Sequence, residues 1–374
     1  MSMKMDPKLL RAAVVMPLVV GWSGLALAQE VPSYYPDDYS QMVEASKEEG
    51  GLLVYSNMAQ YNWQPVIEGF NKLYPWIEVS TLDLDSDEVF NRYYAESSSG
   101  AETADLMISA TVEGWLNFAD GDHAMDYTSA EAGEVPDWSK PRPGIYTVST
   151  DPMIMVYNKL LLDEELWPTG IADLVKKVEA DPDSFENTLT TYNAAQSSFG
   201  QAINAVFIRE HGDQTWNWLS TLGPLSRPEA SSGPMLSKLQ AGEYNVGYFI
   251  SGIVFFPKLA DPASEEIMGW TFIDDGTPLF QRLMAVPKGS GSPNSAKLML
   301  DFILSHDGQA AFGQGGLTPY REGVTQDEVA YYTYDSIRDE VGEDNILLID
   351  LDPALVEDLD AFRQKWLKTF QASN

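Results

Sequence analysis

Three short stretches place small hydroxyl residues directly before predicted helices. These residues are Ser109 with Thr111, Ser197 with Ser198, and Ser231-Ser232-Gly233. The first N–H groups of a helix have no partner inside the helix and lie at the positive end of its dipole. Helix starts that converge on one cleft can therefore bind an anion without a Lys or Arg. Each hydroxyl could instead cap only its own helix, which is the commoner use of such residues.

A second group of candidate contacts lies in the stretch "LLVYSNMAQYNW", residues 52–63. It begins as a buried strand and continues as a polar and aromatic loop without a charge. The loop supplies Ser56, Asn57, Met58 and Tyr61, which offer a solute hydroxyl, amide, thioether and ring contacts. This loop has no charged side chain with which to form an ion pair.

The elements around these residues alternate between strands and helices. Predicted strands cover 52–55, 76–84 and 105–109, with helices between them, and a further strand covers Met153 to Lys159 after an irregular connection over 121–146. This order predicts a parallel sheet covered by helices. In such sheets ligands bind beyond the carboxyl ends of the strands, where the polar loops would lie.

The composition excludes several classes of chemistry. The chain has no Cys, so disulfides, thiolate metal sites and a cysteine nucleophile are excluded. Its 56 acidic and 23 basic residues give a formal net charge of −33, which repels nucleic acid and anionic lipid surfaces. Nucleic acid is therefore not expected as a partner. The acidity also fits solubility in a saline habitat.

The N-terminus predicts export. Three basic residues within positions 4–11 precede an apolar run over 12–27 that ends in Ala26-Leu27-Ala28. This order is typical of a secretory signal over residues 1–28, cleaved near Ala28, and predicts a periplasmic protein. A retained anchor is the alternative, but the run is shorter than 20 residues and contains Pro17 and Gly21, so it is short for a bilayer span.

Several segments in order carry a resemblance to a known family. They read "GGLLVYSNM", "ADLMIS", "MIMVYNKLLL", "AVPKGSGSPNSAKLMLDFILSHDGQ" and "GGLTPYR". Over about residues 30–322 the chain resembles the periplasmic solute-binding proteins of ABC importers, in the branch around the ferric-iron-binding proteins. The most specific part is the helix start Pro-Asn-Ser-Ala followed by Leu-Asp-Phe-Ile-Leu-Ser and Asp-Gly-Gln.

The resemblance implies an α/β fold of the two-lobed, type II kind. Each lobe would be a mixed sheet covered by helices, and the ligand cleft would lie between the lobes and close on the ligand. Residues 29–147 with 279–374 would form lobe 1, and 148–278 an inserted lobe 2. The protein would be a monomer that delivers its solute to an ABC permease and ATPase at the inner membrane.

Ferric iron is one candidate ligand that the resemblance raises. Ferric binders of this family usually hold the metal with an adjacent tyrosine pair, but the comparable stretch here, "GEYNVGYFISGIVFFPK", has Val254, Phe255 and Phe256. Phenyl rings offer no hard anionic oxygen for a trivalent cation. Tyrosines elsewhere could supply ligands through another geometry; the candidates are Tyr55, Tyr61, Tyr192, Tyr244 and Tyr248.

A small organic anion is the ligand that the sequence favours: a carboxylate, phosphonate or phosphate ester. An enzyme is the remaining alternative, but no hydrolase elbow, zinc motif or phosphate loop is present, and only a secreted hydrolase with an unfamiliar acidic pair stays open. We expect no catalytic residue, cofactor or metal. The predicted ligand-binding residues are Ser56, Asn57, Met58, Tyr61, Ser109, Thr111, Tyr192, Ser231, Ser232, Gly233 and Ser251.

Overall fold

The structure is a computed structural model that describes residues 32–371. The predicted signal peptide and its cleavage near Ala28 lie outside the described residues. Within the described part, no helix is both long and apolar enough to cross a membrane.

Strands and helices alternate through the first part of the chain, as the sequence pattern predicts. The strands are β1 Leu52–Ser56, β2 Val79–Asp83, β3 Leu106–Ser109, β4 Ile145–Asn158, β5 Leu189–Thr190, β6 Val246–Ser251, β7 Met268–Phe272, β8 Thr277–Ala285 and β9 Ile346–Ile349. The α-helices are α1 Tyr39–Ser46, α2 Gln60–Leu73, α3 Ser86–Ser99, α4 Val112–Asp120, α5 Ile171–Ala180, α6 Ser198–His211, α7 Asp213–Leu222, α8 Ser232–Ala241, α9 Gly252–Phe255, α10 Pro262–Ile267, α11 Pro293–Leu304, α12 His306–Gln314, α13 Tyr334–Val341 and α14 Leu359–Phe370.

The strands of the described chain form one mixed sheet in the order β2-β1-β3-β8-β4-β6-β5, with β7 paired to β4 and β9 paired to β8. β1 runs parallel to both β2 and β3, and β5 runs parallel to β6. The long strands β4 and β8 are antiparallel to each other and join these two parallel groups. Parallel pairing places the loops after β1 and β2 side by side at the carboxyl ends of these strands. It does the same for the loops after β5 and β6.

β4 is the strand that changes partners along its length. Residues 145–152 pair with β8, whereas residues from Met153 onward pair with β6 and β7. The sequence predicted a strand only from Met153. Pro152 cannot donate a backbone hydrogen bond, and proline is normally found at the ends or edges of strands. In the structure Pro152 is the last residue opposite β8, so its missing N–H falls where the pairing changes. The strand therefore begins at Ile145, inside the predicted connection.

Both faces of the sheet around β1 and β3 are buried. Leu106 and Ile108 of β3 belong to one apolar cluster, with α2, α11 and α12, while Met107 between them belongs to a second cluster with α3 and α4. Side chains alternate across a strand, so this division shows helices packed on each face. Trp63 of α2 and Trp115 of α4 are fully buried in these two clusters.

One buried carboxyl group, on α11, lies beside the first of these clusters. Asp301 on α11 is fully buried and accepts hydrogen bonds from the Tyr127 hydroxyl and the Ser129 hydroxyl, both at 2.6 Å. Burial disfavours the ionised form and raises the pKa of Asp301 to about 6, although these hydrogen bonds oppose the rise.

Candidate functional site

A cavity of about 680 Å³ lies where the loops after β1, β2, β5 and β6 meet. On one side it is lined by residues from the segments 57–62 and 83–87, and on the other by residues from the segments 192–199, 230–233 and 251–254, with Arg282 of β8 also in the lining. We call this cavity the cleft, its first side the acidic wall and its second side the neutral wall. Its position beyond the carboxyl ends of parallel strands is the one expected of a ligand site.

The β1 loop of the acidic wall is held by hydrogen bonds at both ends. The Ser56 hydroxyl, at the end of β1, accepts from Nε1 of Trp63 at 2.9 Å, and the Asn57 amide donates to the Ser86 hydroxyl at 2.7 Å. Met58 is buried, whereas the Tyr61 side chain is 52% exposed although it lines the cleft. A large exposed ring inside a cavity is a surface that a solute can cover.

The β2 loop gives the acidic wall its name, because Asp83, Asp85 and Asp87 all line the cleft. Asp85 caps α3 by accepting from the N–H of Asp87 at 3.0 Å. Partial burial raises the pKa of Asp83, and the positive charge of Arg282 opposes that rise.

The neutral wall is organised around the hydroxyl of Ser232, at the start of α8. This hydroxyl lies 2.7 Å from the hydroxyl of Tyr192 and accepts from the N–H of Ser251 at 2.9 Å. Burial raises the pKa of Tyr192 to about 12, although its bond with Ser232 and the charge of Arg282 oppose the rise. The Tyr192 ring is therefore a neutral phenol at physiological pH.

The start of α6 completes the neutral wall and reaches across to the acidic one. The Ser197 hydroxyl caps the helix by accepting from the N–H of Gly200 at 3.2 Å. The Ser198 hydroxyl donates to both carboxylate oxygens of Asp87, at 2.8 and 2.9 Å. A carboxylate of the protein thus lies at the positive end of the α6 dipole, a favourable place for an anion.

Arg282 is a buried cation in the lining of the cleft. It is 3% exposed, and its Nε and Nη2 atoms donate to Oδ2 of Asp151 at 2.9 and 2.8 Å. Its Nη1 donates to the backbone oxygen of Asn57 at 3.1 Å and to the side-chain oxygen of the same residue. Asp151 lies on β4, so the pair joins the two strands that cross between the parallel groups.

The structure brings together most of the predicted ligand-binding residues around the cleft. The members of the lining are Asn57, Met58, Tyr61, Tyr192, Ser231, Ser232, Gly233 and Ser251. It does not bring Ser56, Ser109 or Thr111 there, since all three are buried outside the lining.

The hydroxyls of these three residues are used locally. Ser56 accepts from Trp63, the Ser109 hydroxyl donates to the backbone oxygen of Ser86 at 2.8 Å, and Thr111 caps α4 by accepting from the N–H of Gly114 at 3.5 Å. For Thr111 the simpler interpretation, a helix cap, is therefore the one that the structure shows.

Sequence reasoning missed Arg282 and the three aspartates of the acidic wall. A signal for Arg282 was present, because "TPLFQRLMA" places one charge within a mostly apolar strand, and the structure buries all nine of its residues. A buried Arg needs a partner, but the sequence does not show which carboxylate that is.

The tyrosines and phenylalanines considered for iron are mostly committed to the core. Phe255 and Phe256 are buried against each other, and Tyr248 is buried with its hydroxyl 3.0 Å from that of Ser226. Across residues 32–371, no group of three or more His, Cys, Asp or Glu side chains is arranged to hold a metal ion.

Comparisons with known proteins agree with this geometry. The family described as "Bacterial extracellular solute-binding protein" matches residues 55–310. A substrate-binding protein of an ABC transporter from Agrobacterium tumefaciens superimposes with a TM-score of 0.76 at 22% identity, covering 88% of this chain and 97% of that one. No curated protein sequence matches the chain.

Two further similar structures were solved with a ligand bound. Iron-bound HitA from Pseudomonas aeruginosa has a TM-score of 0.68 at 16% identity, covering 86% of this chain and 99% of that one. AfuA from Actinobacillus pleuropneumoniae, with fructose-6-phosphate bound, has a TM-score of 0.67 at 17% identity, covering 86% and 98%. At these identities the likeness shows the fold, and it confirms the predicted α/β architecture of two lobes with a cleft between them.

Proposed function

Because the chain belongs to the family of bacterial extracellular solute-binding proteins, we propose that it is the periplasmic substrate-binding component of an ABC importer. Its solute is a small organic anion: a carboxylate, a phosphonate or a phosphate ester. It closes over the solute in the cleft and delivers it to the membrane permease, which the ATPase subunits drive.

The observation that carries this proposal is the neutral wall. Two helices of 14 and 10 residues, α6 and α8, begin there, and all of the described residues that line this wall are uncharged. The Ser231 hydroxyl makes no capping bond to its own helix and lines the cleft. The start of α6 already holds Asp87, whereas the free N–H groups at the positive end of the α8 dipole favour an anion at contact distance.

The division of the chain into lobes is part of the proposal. Residues 29–147 with 279–374 form lobe 1, which carries the acidic wall, and residues 148–278 form lobe 2, which carries the neutral wall. Arg282 and Asp151 lie on the crossing strands β8 and β4. Closure brings the walls together, and the bond between Ser198 and Asp87 supports the assignment of the structure to a closed form.

The remaining partners and the location follow from the family. The mature protein acts as a monomer after signal cleavage near Ala28, and it contacts the permease and ATPase complex but no nucleic acid. Several related structures belong to substrate-binding or periplasmic binding proteins by their descriptions, which supports this assignment.

Ferric iron is the second candidate, because the descriptions of similar structures include ferric-ion-binding proteins. The cleft supports it less well. Tyr192 is held as a neutral phenol by burial, and Asp87 is engaged by Ser198. To bind these two oxygen ligands, iron would therefore have to break the contacts that Tyr192 and Asp87 already make.

A secreted hydrolase is the third candidate, and the family argues against it. If the protein only binds its solute, a solute incubated with equimolar protein is recovered unchanged. Steady conversion of the solute, proportional to protein concentration, would instead establish catalysis.

The test of the proposed function is a thermal-shift screen of the mature protein. The panel holds aliphatic and aromatic carboxylates, phosphonates, sugar phosphates, neutral sugars and ferric citrate. A ligand at a hundred times its dissociation constant stabilises the folded form by about 2.7 kcal/mol, a shift of a few degrees for a chain of this size. A shift with organic anions supports the proposal. A shift with iron alone or with neutral sugars alone would replace it.

A further inference from the structure

Arg282 has a hydrogen-bond donor that the protein does not use. A guanidinium carries five N–H groups, and four of those on Arg282 reach acceptors on Asp151 and Asn57. Among the acceptors that the structure describes, none binds the remaining N–H of Nη2. That N–H lies on the terminal edge of the guanidinium, between Nη1 and Nη2, because the other edge faces Asp151.

The unused N–H belongs to a side chain that lines the cleft while being only 3% exposed. Arg282 influences groups on both walls, since its charge opposes the rise in the pKa of Asp83 and of Tyr192. Tyr192 in turn contacts Ser232 at the start of α8. The guanidinium lines the same cleft as Asp83 of the acidic wall and Ser232 at the start of α8.

The position of the guanidinium is set before a solute arrives. Two bonds to Asp151 and two to Asn57 restrain it, so little rotamer entropy remains to be lost on binding. The free N–H can therefore donate to a single oxygen of the solute, in a direction that these four bonds fix. Asp151 is the positioning residue in this arrangement, since its carboxylate contacts Arg282 and does not line the cleft.

The negative charges of the cleft limit which anions can bind to this N–H donor. Asp151 neutralises Arg282, and Asp83, Asp85 and Asp87 add negative charge on the acidic wall. A dianion meets twice the repulsion that a monoanion meets. In water each extra pair of like charges about 7 Å apart lowers affinity roughly threefold.

We infer that the solute is a carboxylate whose oxygen accepts from the free N–H of Arg282, with the N–H groups that begin α8 binding the same carboxylate. Phosphate esters and phosphonates are discriminated against by the aspartates of the acidic wall. This inference rests on the proposed function, which allows all three anion classes, and it narrows the class to one.

The test compares matched pairs by isothermal calorimetry at pH 8. Each carboxylate of the panel is measured beside the phosphonate or phosphate ester of the same carbon skeleton, for example benzoate beside phenylphosphonate. We expect the carboxylate of a binding pair to bind at least tenfold more tightly. A phosphonate or phosphate ester that binds as tightly or more tightly overturns the inference but leaves the proposed function intact. Binding of no anion contradicts both.

Measurements at a second pH separate the effect of the charge of the solute from the effect of its shape. A phosphate ester has a second pKa of about 6, so it is a dianion at pH 8 and a monoanion at pH 5. We expect its affinity, relative to that of the matched carboxylate, to rise as the pH falls to 5. An unchanged ratio would show that the charge of the acidic wall does not select the solute.

A variant of Arg282 and a control variant test whether this residue determines the affinity for the carboxylate. Arg282→Lys keeps a positive charge beside Asp151 but removes the directed N–H of Nη2, so the carboxylate should bind at least tenfold less tightly. Arg338→Lys, on an exposed part of α13, is the matched control. Equal affinities of wild type and folded Arg282→Lys would overturn the inference.

Asp83→Asn does not touch the buried pair and tests the inference even if Arg282→Lys fails to fold. It should narrow the ratio of carboxylate to phosphonate affinity by roughly threefold. An unchanged ratio contradicts selection by the acidic wall.

Discussion

The hydroxyl of Ser198, at the first residue of α6, donates to both carboxylate oxygens of Asp87, in the first turn of α3, at 2.8 and 2.9 Å. The two residues are 111 positions apart in sequence and line opposite walls of the cleft. A direct bond between the walls stabilises the form of the protein in which they are close. The bond also restrains the first turns of α3 and α6, which a solute in the cleft would contact.

Removal of this bond should favour the open form. We expect Ser198→Ala to lower the affinity for the tightest-binding organic acid of the screen by about tenfold or more, since a hydrogen bond to a charged group contributes about 1.5–3 kcal/mol and this bond forms only when the walls are close. Small-angle scattering with the acid present should show a larger average radius of gyration. Ser220→Ala, which alters an exposed hydroxyl on α7, is the control. Identical affinity and radius would contradict a role of this bond in closure.

The buried pair of Arg282 and Asp151 should be needed for stability as a unit. Asp151→Leu leaves the guanidinium charge buried without its partner, and we expect a loss of about 3–5 kcal/mol in the free energy of unfolding. The double variant Arg282→Met with Asp151→Leu should recover most of this loss. Urea denaturation measures both.

The control for the buried pair is Asp122→Asn, which removes the exposed partner of Lys288. Its unfolding transition should coincide with that of the wild type. If Asp151→Leu also unfolds at the wild-type urea concentration, the pair does not contribute to the fold as described.

Gly233 offers a way to block the cleft without disturbing the core. A Cβ at this position meets no atom within 4 Å, and Gly233 lines the neutral wall. We expect Gly233→Phe to weaken binding of the organic acid at least tenfold, while the melting temperature of the ligand-free protein stays unchanged. Ser232 is unsuitable for this test, because a large residue there would also break its contacts with Tyr192 and Ser251.

Gly289→Phe is the matched control for the blocked cleft, since its Cβ also meets open space and it lies outside the cleft lining. Wild-type affinity in Gly233→Phe, measured by calorimetry, would remove the start of α8 from the binding site.

Asp301 should make stability depend on pH. Its pKa is raised from an ordinary value of 3.8 to about 6 by burial, so the folded state binds this proton more tightly than the unfolded state does. The resulting stabilisation is fully present below pH 4 and is lost as the pH rises through about 6. The loss amounts to roughly 3 kcal/mol.

The comparison that isolates this effect is with Asp301→Asn, whose side chain does not titrate. The free energy of unfolding of the wild type, minus that of the variant, should fall by roughly 3 kcal/mol between about pH 3 and about pH 8. Denaturation curves at several pH values measure the difference. Parallel pH profiles for the two proteins would show that Asp301 is not protonated preferentially in the folded state.

The sequence by itself determined the features that depend on neighbours along the chain. Short apolar runs predicted β1 and β3, and the spacing of Thr111 and Ser197 before helices predicted caps that the structure contains. Ordered motifs also determined the family and, with it, the fold of two lobes. These signals are readable because a cap or a strand involves residues only a few positions apart.

Only the tertiary structure decided which polar groups reach the cleft. Ser109 looked equivalent to Ser231, but it bonds to Ser86 and is buried, while Ser231 stays free at the start of α8. Arg282 and Asp151 are 131 positions apart and meet because β4 and β8 pair. A buried charge requires a partner, yet which of 56 acidic residues supplies it depends on strand pairing and closure of the chain, and neither is encoded within a local stretch.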